Sequence, residues 1–253
     1  MNRIHFISQE IVAQLRSNII SACTVCGGTG VNLMNTVLSD CACVNEFKRQ
    51  VGLIGAGIPR KYWDFSLDHL LQRFRDENRL SLNIIQKYCE SIEKSTQEGL
   101  GLYIQGVSGV AKTSLAFYIL KEALSKNIPS YGIRLSQLTK LIYESTIDDN
   151  KKDHLNFIKN EAKLLLIDEI EKEFSIDDTS RFMGSQVNDF FSHIYDSQKS
   201  LIVTSNVPKE ELRKVHAFNI VDRLQELIDI VFVGESFRGS SGALQKLFGN
   251  QDV

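Results

Sequence analysis

The stretch QGVSGVAKTS, from Gln105 to Ser114, nearly matches the phosphate-binding pattern G-x-x-x-x-G-K-[ST]. Gly106 begins the pattern and Lys112 and Thr113 end it, but Ala111 stands where the pattern has its second glycine. The apolar run GLGLYIQG (99–106) before the loop predicts a strand, and KTSLAFYILKEALSKN (112–127) predicts a helix. Backbone N–H groups at a helix N-terminus can hold phosphates, so this strand–loop–helix order predicts a nucleotide site.

Within this loop, we expect Lys112 to reach the β- and γ-phosphates of ATP and Thr113 to hold Mg²⁺ through its hydroxyl. The extra methyl of Ala111 should be tolerated, because we expect a helical, negative φ there, where alanine has no steric cost. The predicted nucleotide-contacting residues are Gly106, Gly109, Val110, Ala111, Lys112, Thr113, Ser114 and, from a later strand, Asp168.

Two later apolar runs end in polar residues that suit the same chemistry. LLLIDE (164–169) ends in Asp168, expected to hold Mg²⁺ through water, and Glu169, expected to polarise the attacking water. LIVTSN (201–206) ends in Asn206, which could orient that water from a neighbouring strand. The alternative for Asp168 and Glu169 is a solvated turn, and the alternative for Asn206 is an ordinary Asn-Val-Pro turn. The occurrence of the loop, the acids and the asparagine in this order argues against both alternatives.

The wider pattern predicts an α/β protein. From residue 99 to 234 predicted strands alternate with predicted helices, which indicates a parallel sheet with helices on both faces. The 253 residues are 43% hydrophobic, enough for one or two domains. The net charge of −2 gives no overall attraction to nucleic acid, so any DNA contact must come from a local patch.

No segment of the sequence predicts a membrane protein. No apolar run reaches the roughly 18 residues that a membrane span needs. The N-terminus alternates apolar and charged residues and lacks the apolar core of a signal peptide. We therefore expect no membrane contact and a cytoplasmic location.

Four cysteines near the N-terminus predict a metal site. Cys23-x-x-Cys26 and Cys41-x-Cys43 are separated by 14 residues, and four thiolates can form a closed, structural Zn²⁺ site. The alternative is that these four are reduced cysteines packed in a small core. We interpret the isolated Cys89 as a packing residue of this kind. VGLIGAGIPRKYWDF (51–65) then has the composition of a linker or of a domain boundary near residue 55. We predict an N-terminal helix with a zinc-binding domain over 1–55 and a nucleotide-binding domain over 56–253.

The nucleotide motifs resemble those of the AAA+ ATPases. Residues 106–113 resemble their Walker A motif, 164–169 their Walker B motif, and Asn206 their sensor 1. The resemblance implies an arginine that reaches the γ-phosphate of the neighbouring subunit. Arg223, at the start of a predicted short helix, is the candidate; Arg213 competes with it, and a surface ion pair of Arg223 with Asp222 or Glu226 is the alternative.

Further segments resemble the DnaC/DnaI-type helicase loaders and the related IstB ATPases, which have no C-terminal helical lid. They are AGIPRKYWDFSLD (56–68), TSN (204–206) and SFR, ending at Arg238. The resemblance implies that the parallel-sheet domain of this chain has no such lid either. Two residues depart from the pattern of the loaders. One is Ala111, and the other is Glu169, because many loaders have a second aspartate there. Glu169 favours hydrolysis of ATP, but IstB-like proteins also have this glutamate, so it does not favour the loaders. The resemblance implies a self-associating ATPase that loads a hexameric, DnaB-like helicase onto single-stranded DNA. It also implies that residues 1–50 bind the helicase. Candidate DNA contacts are Lys140, Lys151, Lys152 and Lys159.

Two other functions fit the same motifs. One is an IstB/TnsC-like transposition ATPase that binds duplex DNA, and the other is a non-hydrolysing adaptor that acts through its zinc domain. The zinc domain could also bind nucleic acid, since Lys48, Arg49, Arg60 and Lys61 lie near it in sequence.

Overall fold

The structure is a computed structural model that describes residues 7–34, 37–171, 179–212 and 218–236. The chain forms two compact units, residues 1–63 and 64–253. Among the described residues, no helix is long and apolar enough to cross a membrane. The predicted lid-free C-terminus and Arg238 lie outside the described residues, and so does Arg213.

The first unit contains two helices and a hairpin. Helix α1 (Gln9–Arg16) begins at Ser8, whose hydroxyl accepts a hydrogen bond from the N–H of Ile11, and a π-helical turn (Ser17–Ser21) continues it. Strands β1 (Val31–Met34) and β2 (Val37–Asp40) pair antiparallel, and helix α2 (Ala42–Gly55) follows at once. One small hydrophobic cluster of this unit contains Ile7, Leu15 and Val51 with partly buried neighbours.

Residues 51–65 do not form an extended linker, although the division between the units does fall within this segment. Helix α2 continues to Gly55, because Val51 and Leu53 are buried and outweigh the low helix propensity of the glycines. The chain then folds back, with Trp63 buried and its ring N–H donating to the carbonyl oxygen of Ile58 at 2.9 Å. The division between the units therefore falls after Trp63, and the roles assigned to the two domains stay predictions.

The second unit is built on a parallel sheet, as the alternation of strands and helices predicts. Its five strands lie in the order β4-β5-β6-β3-β7. The strands are β3 (Leu102–Gly106), β4 (Ser130–Arg134), β5 (Leu164–Asp168), β6 (Ser200–Ser205) and β7 (Ile228–Phe232). Every residue of β5 and β6 is buried, which shows that both faces of the sheet are covered.

Helices of this unit surround the sheet. They are α3 (Gln72–Glu77), α4 (Arg79–Glu90), α5 (Ile92–Gln97), α6 (Lys112–Ser125), α7 (Leu135–Glu144), α8 (Asp149–Asn160), α9 (Thr179–Asp196), α10 (Lys209–Leu212) and α11 (Phe218–Leu224). The first three of these helices follow one another closely and are separated only at Asn78 and Ser91. At the first break, the buried Asn78 side chain exchanges two hydrogen bonds with the backbone of Val233, just beyond the edge strand β7.

The strand order brings the predicted site residues together. β6 lies between β5 and β3, so the loop after β3, the acids after β5 and Asn206 after β6 meet at the carboxyl ends of parallel strands. Gly106 is required where the loop begins, because a Cβ there would overlap the carbonyl oxygen of Phe232 in the neighbouring strand.

Candidate functional site

The side chain of Lys112 lies beneath the loop and links it to Asn206. Its Nζ donates to the carbonyl oxygens of Gly106 at 2.6 Å and Val107 at 2.8 Å, and to Oδ1 of Asn206 at 2.9 Å. The side chain is buried, and α6 begins at this residue. An ammonium group held by carbonyl oxygens at a helix N-terminus can exchange them for phosphate oxygens.

The backbone at Ala111 differs from the expected conformation. Its φ is 62° and its ψ is 7°, in the left-handed region, so the prediction of a negative, cost-free φ is wrong. The left-handed conformation costs a non-glycine residue about 1–2 kcal/mol. Ala111 directly precedes the first residue of α6, and its left-handed conformation turns the chain from the loop into the helix. The alanine is therefore accommodated with backbone strain.

The carboxylate of Asp168 is fixed by two threonines. Its Oδ1 accepts from Oγ1 of Thr113 at 2.8 Å and from Oγ1 of Thr204 at 2.7 Å. On the other side, Nε of Arg134 lies 3.6 Å from Oδ2, and Asp168 is only 1% exposed. The two oxygen groups predicted to hold Mg²⁺, those of Thr113 and Asp168, are therefore in contact.

The other two predicted residues lie at the same edge of the sheet. Glu169 has a φ of 59°, and its N–H donates to Oγ1 of Thr204 at 3.0 Å, so the chain turns sharply as it leaves β5. Asn206 accepts from Lys112 through Oδ1 and donates through Nδ2 to Oε1 of Glu171. Thus the loop lysine, the threonine–aspartate pair and the asparagine are all brought together.

Three residues of this site were not found from the sequence: Arg134, Glu171 and Thr204. Arg134 ends β4, and only the pairing of β4 with β5 places it opposite Asp168. Thr204 and Glu171 each stand two residues from a predicted site residue, which gave a weak signal. Nothing in the pattern indicated that their side chains would turn toward Asp168 and Asn206.

Arg223 lies away from the loop of its own chain. It is near the end of α11, so its predicted place at the start of a helix is wrong. Nη1 donates to Oγ of Ser192 at 2.6 Å, and the guanidinium lies 5.5 Å from the centre of the Tyr195 ring. Arg223 lines a cavity of about 430 Å³ with Gly99 and Ile228, at the amino ends of β3 and β7. The loop is at the opposite, carboxyl end of β3.

The four N-terminal cysteines form one cluster in which all four sulfurs lie within 4.8 Å of one another. The Sγ atoms of Cys23 and Cys41 are 3.9 Å apart, and those of Cys26 and Cys43 are 3.7 Å apart. A tetrahedral zinc with Zn–S bonds of about 2.3 Å separates its sulfurs by roughly 3.8 Å. The cluster therefore fits Zn²⁺, and these side chains would hold it.

The thiols of the cluster shift one another's pKa values in opposite directions. Desolvation acts to raise the pKa of Cys26, but the N–H of Gly30 and the neighbouring thiols lower it to about 6. Desolvation and the neighbouring Cys41 thiol raise the pKa of Cys43 to about 12. Four thiolates this close repel one another, and a bound Zn²⁺ would offset that repulsion.

Comparison with protein families assigns the second unit. The model of the family "ATPase family associated with various cellular activities (AAA)" matches residues 102–229, from the first strand of the parallel sheet into β7. The chain belongs to the AAA family. As an AAA protein it is an ATPase that uses a nucleotide with Mg²⁺. Among curated proteins, none matches the chain.

Solved structures share the fold of this AAA protein. The DnaC helicase loader is 22% identical with a TM-score of 0.59, and the match covers 69% of this chain and 100% of that one. DnaI is 20% identical with a TM-score of 0.58, over 70% of this chain and 95% of that one. The replication initiator DnaA, bound to AMPPCP and single-stranded DNA, is 18% identical with a TM-score of 0.54, over 68% of this chain and 52% of that one. The AAA unit therefore has a DnaC/DnaI-like fold.

Proposed function

We propose that this AAA protein is an ATP-dependent loader of a replicative helicase onto single-stranded DNA, and that it acts as an oligomer. The observation that carries the proposal is the combination of a DnaC/DnaI-like ATPase unit with a separate unit that holds four clustered cysteines. In the ATPase unit Lys112 contacts Asn206 and Thr113 contacts Asp168, which supports a working site.

At this site, each residue has a proposed role in hydrolysis. The loop amides from Gly106 to Ser114 hold the phosphates, and Lys112 exchanges its carbonyl partners for β- and γ-phosphate oxygens. Mg²⁺, when bound, neutralises the charge that develops on the phosphate oxygens. Thr113 would hold this ion through its hydroxyl, and Asp168, whose carboxylate is in contact with that hydroxyl, would hold it through water. Glu169 takes the proton of the attacking water, and Asn206 orients that water.

Arg223 is proposed to complete the ATP site of a neighbouring subunit. Because it lies at the amino ends of the strands, it is placed at the opposite end of the sheet from the loop of its own chain. Its hydrogen bond to Ser192 and its contact with Tyr195 would keep the guanidinium extended for a second copy. Self-association through the ATP site would then be required for fast hydrolysis.

The surface of the cysteine unit favours a protein partner, which we propose to be a hexameric, DnaB-like helicase. Its nearby cations already have partners: Lys48 pairs with Asp40 at 2.9 Å, and Arg49 pairs with Glu46 at 2.8 Å. Exposed apolar side chains lie on the same unit, and Val25 and Leu38 are 75% and 72% exposed. Paired cations beside exposed apolar groups suit a protein surface better than a phosphate backbone.

Single-stranded DNA is proposed to bind across α7 and α8. Lys140 and Lys151 each lie 3.6 Å from Glu144, so part of their charge is already balanced. Lys152 is exposed. The ring of Tyr143 on α7 and the side chain of Ile147, in the turn between α7 and α8, are exposed as well. An aromatic ring beside lysines suits bases that stack on the ring while phosphates meet the cations. The affinity should fall steeply with salt.

Phosphate release with two kinds of DNA tests the loader function. We expect single-stranded DNA to stimulate hydrolysis by the full chain more than duplex DNA does. Stronger stimulation by duplex DNA would instead favour an IstB/TnsC-like transposition ATPase, and no turnover with either would favour an adaptor. Lys112→Ala is the control for contaminating ATPases.

Capture of the replicative helicase of the source organism tests the partner. The full chain should retain the helicase in a pull-down, and Leu38→Asp should weaken retention without changing basal hydrolysis. Glu93→Lys, a charge change on the ATPase unit, is the matched control. Failure of the wild-type chain to retain the helicase would contradict the partner proposed here.

A further inference from the structure

We propose that Glu171 is a positioning residue that sets the orientation of the Asn206 side-chain amide at the ATP site. The proposal rests on the roles given above to Lys112 and Asn206. Glu171 belongs to neither the phosphate loop nor the acidic pair that identify the site. It lies two residues after Glu169, and Ile170 stands between them.

The contacts of Asn206 leave its amide one orientation. Nδ2 donates to Oε1 of Glu171, and Oδ1 accepts from Nζ of Lys112 at 2.9 Å. A carboxylate can only accept hydrogen bonds, and an ammonium group can only donate them. A flipped amide would set its NH₂ against the ammonium and its oxygen against the carboxylate, so both contacts would become repulsive.

The second oxygen of Glu171 indicates that the carboxylate is not there for packing alone. Oε2 is buried, and within the described part of the chain it has no hydrogen-bond partner. A buried carboxylate oxygen without a donor is costly, and a side chain with a purely structural role normally has its buried polar atoms satisfied. The cost is offset if the other oxygen serves the site through Asn206.

The orientation decides what Asn206 can do. Its carbonyl oxygen faces Lys112, the residue expected to contact the β- and γ-phosphates, so Asn206 presents an acceptor on that side. An acceptor can orient a water molecule or hold the lysine, but it cannot donate to a phosphate oxygen. Without Glu171, Nδ2 would be released, and the amide could rotate and donate to phosphate instead. Glu171 thereby favours turnover over tight binding of ATP.

Variants of Glu171 separate this role from a structural one. Glu171→Ala should lower kcat about tenfold, because a misplaced group costs catalysis, and should leave the affinity for MgATP unchanged or higher. Glu171→Gln should keep most of kcat, since its amide oxygen still accepts from Asn206. Glu211→Ala, which removes an exposed glutamate from α10, is the matched control and should keep full activity.

A double-mutant cycle with Asn206 tests whether Glu171 acts through that residue. In an Asn206→Ala background, Glu171→Ala should cause no further loss of kcat. The proposal is overturned if the two losses multiply, if Glu171→Gln falls as far as Glu171→Ala, or if Glu171→Ala abolishes MgATP binding measured by calorimetry.

The same cycle remains decisive if the proposed ATP-site roles fail. Should the wild-type chain not hydrolyse ATP, or should Asn206→Ala be fully active, the roles assigned to the site are wrong. The four proteins of the cycle are then compared by urea unfolding. Non-additive unfolding free energies would support the Glu171–Asn206 link, and additive ones would refute it.

Discussion

At the scale of single residues, the phosphate loop contains an alanine in a glycine conformation. Ala111 has a φ of 62°, and the residue after it, Lys112, is buried with three acceptors around its ammonium. The left-handed conformation of Ala111 directly precedes Lys112, whose side chain lies under the loop. The backbone strain and the contacts of the lysine therefore occur together in one short segment.

Ala111→Gly should therefore stabilise the protein. Glycine adopts a positive φ without the steric cost, so we expect the free energy of unfolding in urea to rise by about 1 kcal/mol. Binding of MgATP should be retained. Ala116→Gly, in the middle of α6, is the matched control and should lower the free energy of unfolding by at least about 1 kcal/mol. A destabilised Ala111→Gly would show that the strain is absent.

Lys112→Ala should abolish binding of MgATP, because no other described side chain supplies a buried ammonium to the loop. The measurement is isothermal titration calorimetry, with circular dichroism to verify that the variant is folded. Lys126→Ala, an exposed lysine at the end of α6, should bind as the wild type does. Normal binding by folded Lys112→Ala would refute the assignment of the loop.

At the scale of elements, the hairpin β1–β2 assembles the cysteine cluster. It joins the turn that carries Cys23 and Cys26 to the start of α2, where Cys41 precedes the first helical residue. The hydrophobic cluster of this unit is small, with three buried apolar residues among those that the structure describes. A bound metal would supply folding free energy that such a core cannot.

Removal of zinc should therefore unfold the first unit. We expect about one zinc per chain by atomic absorption, as a Cys₄ site predicts. A strong chelator should lower the helical circular dichroism signal while ATP binding persists. Cys41→Ser should have the same effect as the chelator, and Cys89→Ser, outside the cluster, should have none. Freshly purified protein without zinc but with an unchanged spectrum would rule out a zinc-dependent fold.

At the scale of the whole molecule, the two halves of the proposed catalytic site lie at opposite ends of the sheet. The loop, Asp168 and Asn206 are at the carboxyl ends of the strands, whereas Arg223 is beside the amino ends of β3 and β7. A sheet cannot bring its two ends together, so if Arg223 has its proposed role, a second copy of the chain must supply it.

Arg223→Ala should bind MgATP normally but hydrolyse it at least about 10³-fold more slowly. Mixing it with Glu169→Gln should restore part of the activity, because a hybrid interface pairs an intact arginine with an intact glutamate. Arg79→Ala, an exposed arginine on α4, is the control for loss of charge. If the mixture is no more active than the two variants measured separately, Arg223 does not act across an interface.

The sequence by itself determined the fold class and most of the candidate site. The loop from Gly106 to Thr113, the acids after β5 and Asn206 after β6 are each marked by a local pattern of a strand ending in polar residues. Local patterns are readable because they depend on neighbours along the chain: strand, turn and helix N-terminus follow one another in ten residues or so.

Only the tertiary structure decided the contacts on which the proposed roles of these residues depend. The link from Asn206 to Glu171 and the approach of Arg134 to Asp168 depend on which strands lie side by side. The positive φ of Ala111 depends on how the loop meets its helix, and the folding back of residues 56–63 depends on burial of Trp63. Packing between distant segments sets the first two contacts, and the path of the backbone in three dimensions sets the conformations at Ala111 and Trp63; no pattern of residue types along the chain predicted either.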